Sequence, residues 1–433
     1  MESIWQQTAR HPGFPPLEQD AKTDVLIIGG GMAGLLTAHL LQQAGVPCLL
    51  LEGREICGGT TGCTTGKITA QHSLIYNKLH RRLGKEGAAQ YYEANTRALE
   101  QFRRLCAGMD CDFREKSAFV YTLQDGEILR QEMQVLQEIS APVRYHDTLP
   151  LPFSVAGGIE LPGQAQFHPL KFAYELARQL PIREHTPVEV LNGTRAVCAN
   201  GCSVQAKAVI VTTHFPFLKW RGAYFMKLYQ HRSYVLALSG AQDVAGMYID
   251  GAEGGLSFRN AGDLLLLGGG GHRTGKQGGG WQELQEFAKR YYPRALEVGR
   301  WAAQDCMPLD DMPYIGRYGA GEEPVYVATG FHKWGMTGAM SAAMVLCDLV
   351  RGKENPYASL FDPHRSMLHP QLLANGWEAG VRLLWPSLRR CSHMGCALEW
   401  NGQEHTWDCP CHGSRFSQQG RCLEGPARKD LGK

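Results

Sequence analysis

Val25 to Ile28 is a short, unbroken apolar run of strand type. A glycine-rich turn follows. Leu35 to Gln43 then reads as a helix, which Gly45 ends. "PCLLLE" is a second apolar strand, and it stops on Glu52. A second strand–loop–helix unit is predicted at "VYVATGFHKWGMTGAMSAAMVLCDLVRG", residues 325–352, with a helix of small residues starting near Thr337. Its positive end would point at whatever lies before it, and such a dipole favours a negatively charged ligand. No apolar run approaches the roughly 18 residues of a spanning helix, so no membrane span is expected.

The turn between the first strand and helix carries G-x-G-x-x-G at Gly29, Gly31 and Gly34. Each glycine has a mechanical reason. Gly29 permits the tight turn, Gly31 lets backbone N–H groups approach a pyrophosphate at the helix N-terminus, and Gly34 lets helix and strand pack closely. Glu52 ends the second strand at the offset where a carboxylate accepts hydrogen bonds from a ribose. The order of strand, motif, helix, strand and acid points to a dinucleotide. After Glu52 comes "GREICGGTTGCTTGKITAQH", a loop of small residues and hydroxyls rather than another strand–helix unit, and this favours FAD over NAD.

Composition narrows the class. The chain has 433 residues, enough for two or three domains, with 44% hydrophobic and 20% charged residues. A net charge of +2 gives no bulk attraction for nucleic acid. The N-terminus lacks a basic region followed by an apolar one, so no export signal is expected. Fourteen cysteines without such a signal suggest a reducing, cytoplasmic setting, where clustered cysteines are more often metal ligands or redox groups than a disulfide framework.

Several segments carry a family resemblance: "VLIIGGGMAGLLTAHLL", "GKITAQHSLIY", "QAQFHPLKFAYELA", "VIVTTHFPF", "LLLLGGGGHRTG", "AAQDCMPLDDMPYIGR" and "VATGFHKWGMTGAM". The chain resembles the D-amino-acid-oxidase-like (DAO) superfamily of FAD-dependent oxidoreductases, and within it the members fused to a C-terminal Rieske domain. The resemblance implies an α/β, GR2-type Rossmann-like FAD domain at residues 22–80, 150–215 and 300–352. An α+β substrate domain at 81–149 and 216–299 would be interleaved with it, and a small all-β Rieske-like module would occupy 375–433. It further implies that Gly29, Gly31, Met32, Ala33, Gly34, Glu52 and Gly53 hold the ADP half of FAD. Thr61, Thr64, Thr65 and Lys67 would lie along the pyrophosphate and flavin, with Val188 at the adenine. Gly330, Lys333, Trp334, Gly335, Met336 and Thr337 would approach the isoalloxazine. Arg259, His272 and Lys333 are the candidates for substrate chemistry, with a structural role equally open for the first two.

The end of the chain, "CSHMGCALEWNGQEHTWDCPCHGS", residues 391–414, holds Cys391 and His393 as C-x-H and Cys409 and His412 as C-x-x-H. A Rieske [2Fe–2S] centre needs two thiolates on one iron and two imidazoles on the other. Structural zinc is the rival for the same donors, although zinc fingers usually set the cysteines as C-x-x-C. By the resemblance, Cys396 and Cys411 would form a loop–loop disulfide, and Ser414 would hydrogen-bond a sulfide. His405 reads as a surface residue. The Rieske part is shorter than the family's, so its loops are expected to lean on the flavin part. Flavin and cluster nevertheless use separate stretches of chain, so loss of the cluster is expected to leave FAD in place.

Together these features predict a small-molecule oxidoreductase, its substrate amine- or amino-acid-like by family. FAD would exchange electrons with a [2Fe–2S] cluster and an unidentified one-electron donor or acceptor. An oxygen-using oxidase with a structural cluster and a reductase fed through the cluster remain open.

Overall fold

The structure, a computed structural model, describes residues 2–218, 220–252 and 254–432. Its strands form sheets of eight, nine and four. In the first, Ala21–Ile28 lies between Cys48–Leu51 and Ser203–Val211, parallel to both. Val325–Thr329 extends the parallel set, and Tyr314–Arg317 closes that edge antiparallel. The central strands are apolar and buried over residues 25–28 and 208–211, where both faces are covered. Val25 and Ile27 point to the helices Met32–Gln43 and Gly335–Val350, while Leu26 and Ile28 point to a second cluster with Tyr224, Leu228 and Tyr318. Gly45, at φ +72°, ends the first helix as the pattern predicts.

The nine-stranded sheet is mixed. Leu228–Ser239 pairs antiparallel with Leu296–Pro308 on one side and Leu264–Arg273 on the other. Met247–Asp250 runs parallel to Arg114–Thr122, which pairs with Gly157–Gln166. The helix Gly280–Tyr291 covers one face through Trp281 and Leu284. Two strands depart from the expected division. Gly157–Gln166, and Leu296–Pro308 from residue 300 onward, fall in ranges assigned to the FAD domain, yet both strands pair along their length in this second sheet. The α/β plus α+β architecture itself is present. No helix among the described residues is long and apolar enough to cross a membrane.

A helix, Pro370–Leu384, leads to the four-stranded antiparallel sheet Glu399–Asn401, Thr406–Asp408, Arg415–Ser417 and Cys422–Glu424. The range expected for this module, from residue 375, begins inside the helix. So small a sheet buries little apolar surface, and a set of buried charges fixes it to the larger body. Arg232, on the long strand Leu228–Ser239, donates to Glu404 at 2.5 and 3.0 Å and lies 3.4 Å from Glu424. Arg415 reaches Glu404 at 2.7 Å, Asp408 at 3.1 Å and Glu424 at 3.0 Å. The side chains of Arg232 and Arg415 are 2% and 4% exposed, so neither guanidinium has water as an alternative partner. Burial acts to raise the pKa of Glu424, but Arg415 and Arg232 outweigh it and hold the group at about 2. Glu404 is likewise lowered, against its own desolvation, by Arg232 and Arg415.

Removing one member of such a set strands the others. Glu404→Gln is expected to cost about 3 kcal/mol of module docking, read as a lower denaturant midpoint for loss of cluster absorbance than for loss of flavin-domain structure. Both carboxylates have folded pKa values below the unfolded ~4.3. Their contribution is therefore present in full above that value and is lost as pH falls towards about 2. A pH titration of cluster absorbance in the wild type checks the sign.

Candidate flavin and iron–sulfur sites

The glycine turn explains itself in space. Gly29 has φ +115°, and a Cβ there would sit 2.7 Å from the Thr212 carbonyl oxygen. A Cβ on Gly34 would lie 2.0 Å from the Gly29 oxygen, so this residue must be glycine for the helix to pack. Gly31 differs. Its added Cβ would meet only Thr61 Oγ1, at 3.5 Å, so the space before the helix is left open on this side. Thr61 Oγ1 accepts from the Met32 amide at 3.1 Å, and Glu52 Oε2 accepts from Gly30 N at 2.7 Å. Open space, amides at a helix N-terminus and an oriented carboxylate form a cradle that fits a pyrophosphate with its ribose.

This cradle opens into a cavity of about 1210 Å³ that runs to Phe331–Met336 and to the floor of the nine-stranded sheet. The cofactor positions expected from the resemblance line it, except Gly34, Gly330 and Thr337. Gly34 serves packing alone. Gly330, at φ +75°, is wedged between Leu228 and Pro308. Thr337 turns inward, where its Oγ1 donates to Thr69 O at 3.1 Å.

Beside it lies His72, a wall residue that the sequence reading left without a role. Its Nε2 is 2.8 Å from Thr69 O and its Nδ1 is 2.7 Å from Tyr91 Oη. Its ring stacks on Trp334 with centroids 4.6 Å apart. Burial pushes its pKa down to about 3, so a neutral, fixed imidazole props Trp334 against the cavity.

The substrate candidates separate. Lys333 lines the cavity, whereas Arg259 and His272 do not. Arg259 is buried behind the wall, its guanidinium 5.2 Å from the Trp5 ring centre and its Nη2 donating to Phe167 O at 3.3 Å. His272 lies at the seam with the C-terminal module, with Nε2 3.0 Å from the Tyr234 hydroxyl. Strand register and depth behind the cavity wall are not encoded locally, and for these two residues the sequence left a structural role equally open. Lys67 does face the cavity and donates from Nζ to Tyr248 O at 3.1 Å. Burial, and then the charge of Arg259, push its pKa down to about 7, so an anion entering the cavity would find a cation that gains by its presence.

At the other site, two loops repeat one shape. Gly395 N donates to Cys391 O and Gly413 N to Cys409 O, each at 2.9 Å, with both glycines at positive φ. This presents Cys391 with His393 and Cys409 with His412 on facing tight turns, the imidazole centroids 5.0 Å apart. The tautomer of His412 is set from outside. Its Nε2 lies 3.1 Å from the Phe225 carbonyl and donates to it, while Nδ1 is buried with no hydrogen-bond partner. Burial keeps the ring neutral by lowering its pKa to about 4. A neutral imidazole with a free, buried Nδ1 lone pair is the form that ligates a metal. The sulfurs of Cys396, Cys409 and Cys411 lie within 4.8 Å of one another. Cys396 and Cys411 are free thiols, so the bridge expected between them is not closed in this structure. The second loop rests on the flavin part: Arg273 Nε donates to Pro410 O at 3.1 Å and Gln304 Nε2 to Gly413 O at 2.9 Å.

The chain belongs to the FAD dependent oxidoreductase (DAO) family, whose profile matches residues 24–349, and it carries a Rieske [2Fe-2S] domain at residues 387–433. It is thus an FAD-dependent oxidoreductase whose cofactors are FAD and a [2Fe–2S] cluster. YhfW of Bacillus subtilis (strain 168), named for a Rieske 2Fe-2S iron-sulfur centre, is 32% identical over 99% of this chain and 97% of its own. The cytochrome b6-f complex iron-sulfur subunit of Oryza sativa subsp. japonica is 51% identical over 41 residues, 10% of this chain and 18% of that protein. Glycine oxidase from Geobacillus kaustophilus shares the fold at TM-score 0.67 and 18% identity, over 80% of this chain and 100% of that one. L-proline dehydrogenase from P. horikoshii does so at 0.67 and 16%, over 80% and 98%.

The glycine geometry makes a paired prediction. Gly34→Ala should unfold the FAD domain, since the clash at 2.0 Å is with backbone. Gly31→Ala should leave thermal stability of the FAD-free protein within about 1 kcal/mol of wild type yet weaken FAD binding at least tenfold. Thermal melts and flavin fluorescence titration of both variants separate the two roles.

Proposed function

We propose that the chain oxidises a small amine- or amino-acid-like molecule in the cavity and passes the electrons, one at a time, through the Rieske module to a partner. The flavin supplies two-electron chemistry and the cluster one-electron chemistry, so their union on one chain converts between the two. The observation that carries this reading is Phe215. It lines the flavin cavity, and its ring also stands 6.3 Å from that of His393 and 6.1 Å from that of His412. One side chain therefore separates the flavin site from the imidazole side of the cluster site. Mixed ligation places Rieske potentials at roughly −150 to +300 mV, which favours flow from flavin to cluster.

In this reading the ligands are Cys391, His393, Cys409 and His412, and Arg259 and His272 have no contact with substrate. Lys67 and Lys333 are the cations available to a bound anion. The substrate class is supported by the amino-acid-acting enzymes among the structures that share the fold. The FAD part comprises the eight-stranded sheet with its helices, and the nine-stranded sheet roofs the substrate.

His412→Ala tests the relay. With FAD kept saturating, substrate should still reduce the flavin at a rate within about threefold of wild type, while turnover with a one-electron acceptor should fall at least tenfold. Anaerobic stopped-flow absorbance beside steady-state acceptor reduction reads both. Undiminished acceptor turnover without the cluster would make the cluster structural, and the relay reading would be wrong.

A further inference from the structure

The flavin cavity has a wall that belongs to the iron–sulfur module. Within residues 422–430, Leu423, Ala427 and Arg428 line it together with the turn that holds the ADP half. Two arginines fasten this segment to the cofactor's own walls. Arg54, two residues after Glu52, donates from Nη1 to Leu423 O at 2.8 Å. Arg428 donates from Nη1 to Glu189 O at 2.8 Å and lies over the Phe217 ring at 4.5 Å. Glu189 follows Val188 in the strand at the expected adenine position, and both line the cavity. The same segment is also tied to the second ligand loop. The Ala427 amide donates to Ser414 Oγ at 2.9 Å, and Ser414 O accepts from the amide of Cys409 at 2.8 Å. Ser414 is fully buried and stands two residues beyond His412. A continuous path of contacts thus runs from the second ligand loop through Ser414, Ala427 and Arg428 to the adenine wall.

We propose that residues 422–430 are part of the FAD site and that FAD and the cluster bind cooperatively through them. Past Glu424 the segment has no helix or strand of its own. Its order depends on what it touches at either end. Ligation of iron by Cys409 and His412 fixes the loop that carries Ser414, because a metal site and the backbone around it form together. FAD then meets a wall already in place and spends less of its binding energy on ordering it. The coupling is reciprocal, since a cluster that tightens FAD must itself be tightened by FAD. The coupling concerns binding and holds whichever way electrons flow.

The experiment measures FAD release from full-length protein by the rise in flavin fluorescence after dilution. Arg428→Ala should keep the cluster's visible and EPR signature yet release FAD about five- to tenfold faster, the effect of one ordinary hydrogen bond. Wild-type protein stripped of iron by anaerobic chelation should release FAD faster by at least the same factor. Stripping Arg428→Ala should then add less than twofold, because the wall is already loose. Conversely, FAD-free protein should lose iron to the chelator faster than FAD-saturated protein. Release rates within twofold of wild type in both Arg428→Ala and the stripped protein would overturn the proposal. So would a full multiplicative effect of stripping on the variant, because it would place the cluster's influence on another path. Cys409→Ser provides the genetic counterpart to chelation. If that variant fails to fold, the chelated wild type and Arg428→Ala still decide.

Discussion

Two buried guanidiniums and the three carboxylates that pair with them, Asp408 buried and Glu404 and Glu424 partly so, join the nine-stranded sheet to the C-terminal module and decide where the iron–sulfur site lies. Arg232 comes from the large sheet; Arg415, Glu404, Glu424 and Asp408 come from the small one. Such groups pair only in one arrangement, and any other leaves a charge buried without a partner. Their value is therefore in register more than in stability. Once they are matched, the second ligand loop sits against Arg273 and Gln304, and the imidazole of His412 meets the Phe225 carbonyl. A module with four short strands thereby gains the support that its own core cannot give.

The docking has two chemical consequences. It puts the imidazoles beside Phe215, a residue of the flavin cavity, and it buries the His412 ring in its neutral form. It also brings the last turns of the chain over the ADP end of the cofactor cradle. The cavity is thus walled in part by sequence that lies more than two hundred residues beyond the strand at Val188. In the proposed reading the same contact surface serves electron exchange and cofactor retention.

What could be read from sequence was what is local. Gly29, Gly31 and Gly34 announce a turn because backbone clashes and a helix N-terminus impose their spacing, and the geometry at each is the one that spacing demands. The pairs Cys391 with His393 and Cys409 with His412 are legible because each lies within one tight loop. The placement of Arg259 and His272 was not legible because it depends on strand pairing and on what packs in front of them, and that of Thr337 because the helix begins at Gly335 and turns its hydroxyl inward. The strand Leu296–Pro308 joined the other sheet through long-range pairing with Leu228–Ser239, which periodicity does not encode. The role of residues 422–430, like that of His72, Phe215 and Arg232, arises only from tertiary contact.

The central claim is that flavin and cluster lie against one another within a single chain and exchange electrons there. Pulse reduction of the fully loaded protein under anaerobic conditions tests this directly, by following redistribution of an electron between the flavin and cluster absorbances. The account predicts a first-order redistribution whose rate is unchanged over a hundredfold range of protein concentration. A rate proportional to protein concentration, or no redistribution at all, would contradict it.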